Sequence, residues 1–353
     1  MNNGKTKGTR LALMLTLALV TCYSTLLTGC YTTESTIGDS GPAVSAINEV
    51  QVIGIVDSSN NGWPRTVNGY NGQIRIEEKP QRIITASIGH DEVTYSLVPF
   101  ERIIAVGAVS KDHIYSNVSD IVQNVTVISR EPEILIAENP DIIVTSIYFD
   151  AKQIGVLGEL GIPVVQTELM SDPEGQVQNI LLMGYIYGEE RRAEQLANEV
   201  RSRYDELEKI VSAVPDAKRP LVLAIASFSN QFYGAGKGST EGGIIEVAGG
   251  VNTATLAGLN GNPAIGLEGI ISMMPDVIVI TQPAESGDIV RDELLSNAAL
   301  SKVPAVANGN IHIVEPKHFT TLSFWNVLGA ERLCTILWPN ECNGIKSRPF
   351  SRP

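Results

Sequence analysis

A twelve-residue pattern occurs twice, and it limits the folds open to this chain more than any other feature. Residues 133–144 read Glu-Ile-Leu-Ile-Ala-Glu-Asn-Pro-Asp-Ile-Ile-Val, and residues 268–279 read Glu-Gly-Ile-Ile-Ser-Met-Met-Pro-Asp-Val-Ile-Val, 135 positions later. Each copy keeps a Glu, six residues, Pro-Asp and a β-branched run. Proline stops a short helix and the apolar run after it starts a strand, so one helix-to-strand unit is built at corresponding places in two halves. Around the first copy, β-branched runs at residues 82–86, 103–106, 125–128, 142–145 and 164–165 alternate with helical stretches. Around the second they recur at 221–226, 277–280 and 311–314. Strands separated by helices imply crossover units and a mainly parallel sheet, and ligands of such sheets sit beyond the carboxyl ends of the strands. The expected architecture is α/β, with two Rossmann-like lobes.

Residues 173–214 separate the halves. Leu196, Val200, Tyr204, Leu207 and Val211 make one apolar stripe at helical spacing, with charged residues free for the other face. Asp172-Pro173-Glu174 suits a helix start and Val214-Pro215 a stop. One long α-helix joining the lobes is expected over 173–214, with Gly184 to Gly188 the place where it would break. The N-terminal lobe is placed at 66–172, opening on a hairpin signalled by Asn68-Gly69 and Asn71-Gly72. The C-terminal lobe is placed at 215–340, followed by a tail at 341–353.

The chain of 353 residues carries 26 basic and 39 acidic residues. That acidity argues against nucleic acid as a partner, since neutralising phosphates needs a basic face. The beginning is different: Lys5, Lys7 and Arg10 precede an apolar stretch at residues 11–20 that is too short for a span and is broken soon after by Thr21, Tyr23 and Ser24. A basic start, a short apolar segment and small residues ahead of a cut site read as an export signal, here residues 1–29. Leu27-Thr28-Gly29-Cys30 resembles the lipobox of bacterial lipoproteins, which implies cleavage before Cys30 and attachment of lipid to its sulfur. Such cleavage leaves 23 basic residues against 39 acidic, a net charge of −16. Residues 30–65, rich in Ser, Thr, Gly and Asn, read as a lipid-anchored flexible tether. Cys334 and Cys342 remain, eight residues apart. In an exported chain a disulfide between them is the expectation, and two buried thiols the alternative.

Several further motifs fall in order with this layout: Lys79-Pro80-Gln81-Arg82-Ile83-Ile84 before the first strand, both Glu-x6-Pro-Asp elements, Gly161-Ile162-Pro163-Val164 before the connecting helix, and Glu246-Val247-Ala248-Gly249-Gly250-Val251-Asn252 in the second half. Together they make the chain, from about residue 67 to 339, resemble the substrate-binding lipoproteins of ABC importers for iron-siderophore, haem and cobalamin. The resemblance implies capture of a metal chelate between the lobes and delivery to a permease dimer driven by its ATPase. It implies a monomer with no cofactor of its own, held by Cys30 on the outer face of a bacterial membrane. In that family one glutamate on each lobe meets arginines of the permease, and the matching positions here are Glu133 and Glu268.

Loops after the strands offer Ser87, His90, Lys111, Tyr115, Tyr148 and Phe149 from the first lobe. The second lobe offers Phe228, Phe232, Tyr233, Lys237, Lys317 and His318. Rings suit a large planar chelate and lysines an anionic one. His90 and His318 are expected to face the cleft from opposite lobes, with no residue assigned as a metal ligand. No arginine cluster marks these loops, which weakens a strongly anionic siderophore but leaves haem and cobalamin open.

Two other classes of function remain. A receptor or sensor would keep the cleft without needing the paired glutamates. For an exported enzyme the sequence offers little: Gly234-Ala235-Gly236-Lys237-Gly238-Ser239-Thr240 lacks the Ser or Thr directly after Gly-Lys that a phosphate loop needs. No Gly-x-Ser-x-Gly or His-Glu-x-x-His occurs either. Catalysis is not expected.

Overall fold

The alternation read from the sequence becomes two sheets in a computed structural model, which describes residues 51–128 and 131–352. The export signal, Cys30 and the first part of the tether lie outside the described residues. A hairpin comes first, β1 (Arg65–Gly69) and β2 (Gly72–Ile76), antiparallel. The first lobe follows as β3 (Ile83–Thr85), α1 (Ile88–Leu97), β4 (Ile103–Val106), β5 (Thr126–Val127), α2 (Pro132–Ala137), β6 (Ile142–Ser146), α3 (Ala151–Glu159) and β7 (Val164–Thr167). Its five strands are parallel in the order β5-β4-β3-β6-β7. The order reverses at β3, and the crevice of such a sheet opens at the carboxyl ends of β3 and β6.

Two helices come next, α4 (Pro173–Tyr187) and α5 (Glu190–Ser212), so the single helix expected over 173–214 is not what forms. Gly188 ends α4 with φ 68°, a left-handed conformation that costs glycine nothing, and α5 packs back on α4. Only α5 carries the predicted stripe; Leu196, Val200, Tyr204, Leu207 and Val211 are all buried. Its 23 residues span about 34 Å at 1.5 Å per residue.

The second lobe runs β8 (Leu221–Phe228), β9 (Gln231–Gly234), α6 (Thr240–Val247), β10 (Val251–Asn252), α7 (Thr253–Leu256), β11 (Ala264–Ile265), α8 (Leu267–Met273), β12 (Val277–Ile280), α9 (Ala284–Ser296), α10 (Pro304–Ala307), β13 (Ile311–Ile313), α11 (Pro316–Phe319) and α12 (Asn326–Leu337). The strand order is β11-β9-β8-β12-β13, with β10 also pairing with β8. β8, β12 and β13 are parallel, while β9 turns back antiparallel on β8. The sheet is mainly parallel, as expected for the second half, with β9 the one reversed strand. The turn at Ser229-Asn230 has φ 50° and 59°, the sign that a two-residue hairpin turn of the I′ type requires.

One apolar cluster runs from Val52 through α4 and α5 to Trp338 and Phe350 and includes residues of both lobes. Two smaller clusters cover the opposite faces of the two sheets. Parallel strands coated on both faces explain the continuous apolar runs in the sequence. Because the large cluster is shared, the lobes are joined by a packed layer as well as by one chain crossing.

Both ends of the described chain are tied into that layer. A flexible tether was expected through residue 65, but from residue 52 on the chain is docked. Val52 is buried, Ile53 donates its N–H to Gln178 Oε1 at 3.0 Å, and Ile55 pairs with Val67. Arg65, also buried, reaches the Tyr185 carbonyl and pairs with Glu190. These apolar and charged anchors outweigh the Ser/Asn-rich composition around them. At the other end Phe350 meets Phe324 and Trp325 edge-on, with ring centres 4.7 and 5.2 Å away. Arg352 reaches Asp120 at 3.2 Å and the Asn117 carbonyl at 3.0 Å. The tail thus bridges the lobes. Cys334 and Cys342 form a disulfide that closes the turn after α12.

Candidate functional site

The loop after β4 presents Tyr115 to the second lobe, where it faces Ala226 and Phe228 at the end of β8, Tyr233 on β9 and Thr281 after β12. Glu241, Asn262 and Thr320 complete the lining of a pocket of about 440 Å³. Its place at the carboxyl ends of β8 and β12 is where such sheets hold ligands. The I′ turn brings Phe228 and Tyr233 together on one hairpin, edge to face with centroids 6.1 Å apart. Phe228 keeps 55% of its surface exposed within the pocket lining.

Glu241 is placed by the glycine-rich run that precedes α6. Ser239 caps the helix, its hydroxyl accepting from the Gly242 N–H at 3.0 Å and donating to the Gly236 carbonyl at 2.7 Å. A Cβ on Gly242 would lie 2.5 Å from that carbonyl, so the tight turn demands glycine there. The run therefore closes a helix start, and Glu241 in the first turn ends only 8% exposed at the pocket wall. Burial pushes its carboxyl above the ordinary range, opposed in part by its own backbone N–H and by the Asn262 amide at 3.4 Å.

Of the other residues expected in the cleft, several are elsewhere. Phe232 is 6% exposed and belongs to the core of the second lobe, because it alternates with Tyr233 along β9 and points to the other face. Phe149 packs with Ile154 and Ile162 against the first sheet. Tyr148 is 88% exposed. Lys111 donates to the Gln123 carbonyl at 2.8 Å, and Lys237 sits on an exposed turn bridged to Asn260. Lys317 and His318 line a separate, larger cavity of about 1120 Å³ together with His113, Arg332 and the tail. Burial holds His318 down to about 4, although the Glu315 carboxylate 3.1 Å away favours its charged form.

His90 is the clearest correction. It lies inside α1 with no exposed surface, its Nδ1 bonded to Ser87 Oγ at 2.7 Å and its Nε2 to Thr167 Oγ1 at 2.7 Å. The helix starts at Ile88, one turn earlier than a long loop would allow, and rotates the ring into the lobe. Burial lowers its pKa to about 3, so the ring is neutral at ordinary pH. The folded pKa is below the unfolded value of about 6.5, so this contribution to stability is whole above that value and is lost as pH falls towards 3. Denaturant unfolding from pH 7 to pH 4 is expected to show the wild type losing up to about 1.4 kcal/mol per pH unit more than His90→Asn. Parallel curves for the two proteins would contradict the buried, neutral ring.

Two carboxyls beside His90 organise the region behind the pocket. Asp91 accepts from Thr85, Ser110 and the Gly107 N–H, and burial raises it to about 8 against those bonds. Glu92 crosses between the lobes, accepting from the Asn117 N–H and amide at 2.8 Å and from Thr321 at 2.6 Å and Ser323 at 2.5 Å. Burial raises Glu92, again against its donors. The adjacent Lys317 N–H donates to the Ile114 carbonyl at 3.1 Å. Glu92, Glu241, Thr281 and Thr320 are not legible in the sequence as site residues; an acidic residue in the first turn of a helix, where Glu241 stands, suits the helix dipole and marks no pocket.

Glu133 and Glu268 are both exposed, each in the first turn of its helix, α2 and α8. Among the described residues no group of three or more His, Cys, Asp or Glu converges as a metal site, and no helix is long and apolar enough to cross a membrane.

A two-lobed α/β protein with a ring-lined pocket between the lobes has the form of a solute-binding protein. Residues 83–317 match the periplasmic binding protein family, and the chain belongs to it. It is 21% identical to an uncharacterized ABC transporter substrate-binding lipoprotein, YvrC, of Bacillus subtilis (strain 168), over 79% of this chain and 87% of the relative. It is 24% identical to a cobalamin-binding protein of Halobacterium salinarum, over 70% of this chain and 67% of that protein. The crystal structure of the periplasmic heme binding protein HutB of Vibrio cholerae superposes with a TM-score of 0.63 at 22% identity, over 73% of this chain and 99% of that one. The last likeness is one of fold.

Proposed function

We propose that the protein captures a metal chelate outside the cytoplasm and delivers it to the permease of an ABC importer. The observation that carries this reading is the pocket between the lobes, where Tyr115, Phe228 and Tyr233 present three rings at the carboxyl ends of the strands. Rings of this kind cover the flat faces of a large chelate, and an exposed Phe228 gains most by being covered. The names of the relatives support a cobalamin or haem ligand, and the sequence resemblance adds ferric siderophores. Glu133 and Glu268, exposed on opposite lobes at the ends of a repeated element, are the residues we assign to permease contact. The lipobox supports an anchor at Cys30, which confines the search for ligand to a membrane surface. The layer shared by the lobes and the Glu92 crossing favour a small closing motion over a wide hinge.

Titration of the chain from Thr33 onward with cyanocobalamin, haemin and ferric siderophores tests the reading. Saturable one-to-one binding of one of them, micromolar or tighter, is expected. Phe228→Ala and Tyr233→Ala are each expected to weaken it about tenfold, near the 1–2 kcal/mol that a buried ring contact supplies. A folded protein that binds none of them would sink the proposal.

A further inference from the structure

We infer that Glu241 makes the cleft selective for chelates whose buried rim is uncharged and donates hydrogen bonds, amide substituents above all, against chelates rimmed by carboxylates or other anions. This rests on the reading of the pocket as the ligand site. The pocket lining consists of Tyr115, Phe228 and Tyr233, the hydroxyls of Thr281 and Thr320, Asn262, Ala226 and Glu241. None of these is a cation. The cations expected there are engaged or placed elsewhere: Lys111 on the Gln123 carbonyl, Lys317 beside Glu315, and Lys237 on its exposed turn. An anionic substituent pressed against this wall would lose its water, find no positive partner and lie next to a second carboxyl. Each of those three circumstances opposes it.

Donors meet the opposite situation. An ionised carboxylate offers about four acceptor sites, and at Glu241 its own backbone N–H and the Asn262 amide at 3.4 Å take up only part of them. The side chain is more than nine-tenths buried and lines the pocket, so the remaining acceptor capacity is open to a ligand N–H. Primary amides suit the wall twice over, donating to Glu241 and accepting from the hydroxyls of Tyr115 and Tyr233, whereas Thr281 and Thr320 already donate to the Ile225 and Pro316 carbonyls. The rings fix the plane of the chelate, and Glu241 then selects by the charge of its rim.

The experiment compares ligands paired by charge on the wild-type chain from Thr33 onward and on Glu241→Gln, an isosteric change whose folding is checked by circular dichroism. Cyanocobalamin, rimmed by amides, is paired with haemin, which carries two propionates, and a neutral ferric hydroxamate is paired with a ferric tricatecholate. In whichever pair binds, the neutral member is expected to bind at least about tenfold more tightly to the wild type. Glu241→Gln is expected to narrow that ratio about tenfold, chiefly by improving the anionic member. A wild type that prefers the anionic member, or a ratio unmoved by Glu241→Gln, overturns the inference while leaving the cleft a ligand site. If no member of either pair binds the folded wild type, the capture reading fails and this inference with it.

Discussion

Uptake of the ligand is expected to fall to background when Glu133 and Glu268 are both replaced by alanine, while the affinity of the isolated protein stays within about twofold of wild type. Both side chains are exposed, and each stands in the first turn of its helix. Neither lines the ligand pocket, so removing them leaves capture untouched. Their place in a repeated element gives one carboxylate per lobe, a spacing that a two-subunit permease can read as a pair. Charge pairs at interfaces couple by about 1.5–7 kcal/mol each, enough that losing both empties the docked complex at ordinary concentrations. Single replacements are expected to give intermediate uptake, because one anchored lobe still orients the other. The assay is accumulation of labelled ligand in cells whose chromosomal copy carries the substitutions, with membrane amounts matched. Normal uptake by the double variant would remove these residues from any role in delivery.

Breaking the Arg203–Glu331 pair is the largest stability effect foreseen. Arg203 on α5 meets Glu331 on α12 through two parallel bonds of 2.6 Å, with both side chains buried. Arg203 also donates to the Arg348 carbonyl at 3.0 Å and lies over the Phe350 ring, 4.5 Å from its centre. One guanidinium thus ties the crossing helix to the second lobe and to the tail. Glu331→Ala leaves that cation buried without its partner, and the expected loss is about 3–5 kcal/mol. Replacing both together, as Arg203→Met with Glu331→Leu, removes the charges along with the bonds and is expected to recover much of it. Urea unfolding of the three proteins separates the two cases. A double variant no more stable than Glu331→Ala would mean that the guanidinium contacts to the tail matter more than the ion pair.

How far the sequence could be read followed the range of the interactions involved. The repeated Glu-x6-Pro-Asp units and the β-branched runs report local rules, and the helices and parallel strands around them stand where those rules put them. The stripe from Leu196 to Val211 likewise marked α5 and its buried face. His90 was misplaced because its sequence neighbours look like a loop, whereas Ser87 and Thr167 hold the ring inside the lobe. Phe232 and Tyr233 adjoin in sequence, yet the pleat sends one to the core and the other to the pocket. Lys317 and His318 follow a strand as expected but line the cavity under the tail rather than the pocket.

By itself, then, the sequence determined the class of fold, the two halves and the apolar stripe that α5 buries. All of these depend on periodicity, proline and glycine, whose physics acts within a few residues. Tertiary structure alone decided which loop residues share the pocket, that Glu92 binds one lobe to the other and Arg203 the crossing helix to the second lobe, and that Glu241 faces the ligand space without a cation. Glu92 and Thr321 are 229 positions apart in the chain, and no local preference encodes a meeting at that distance. It follows only once both sheets have buried their apolar faces, and the polar side chains left between them must then find one another.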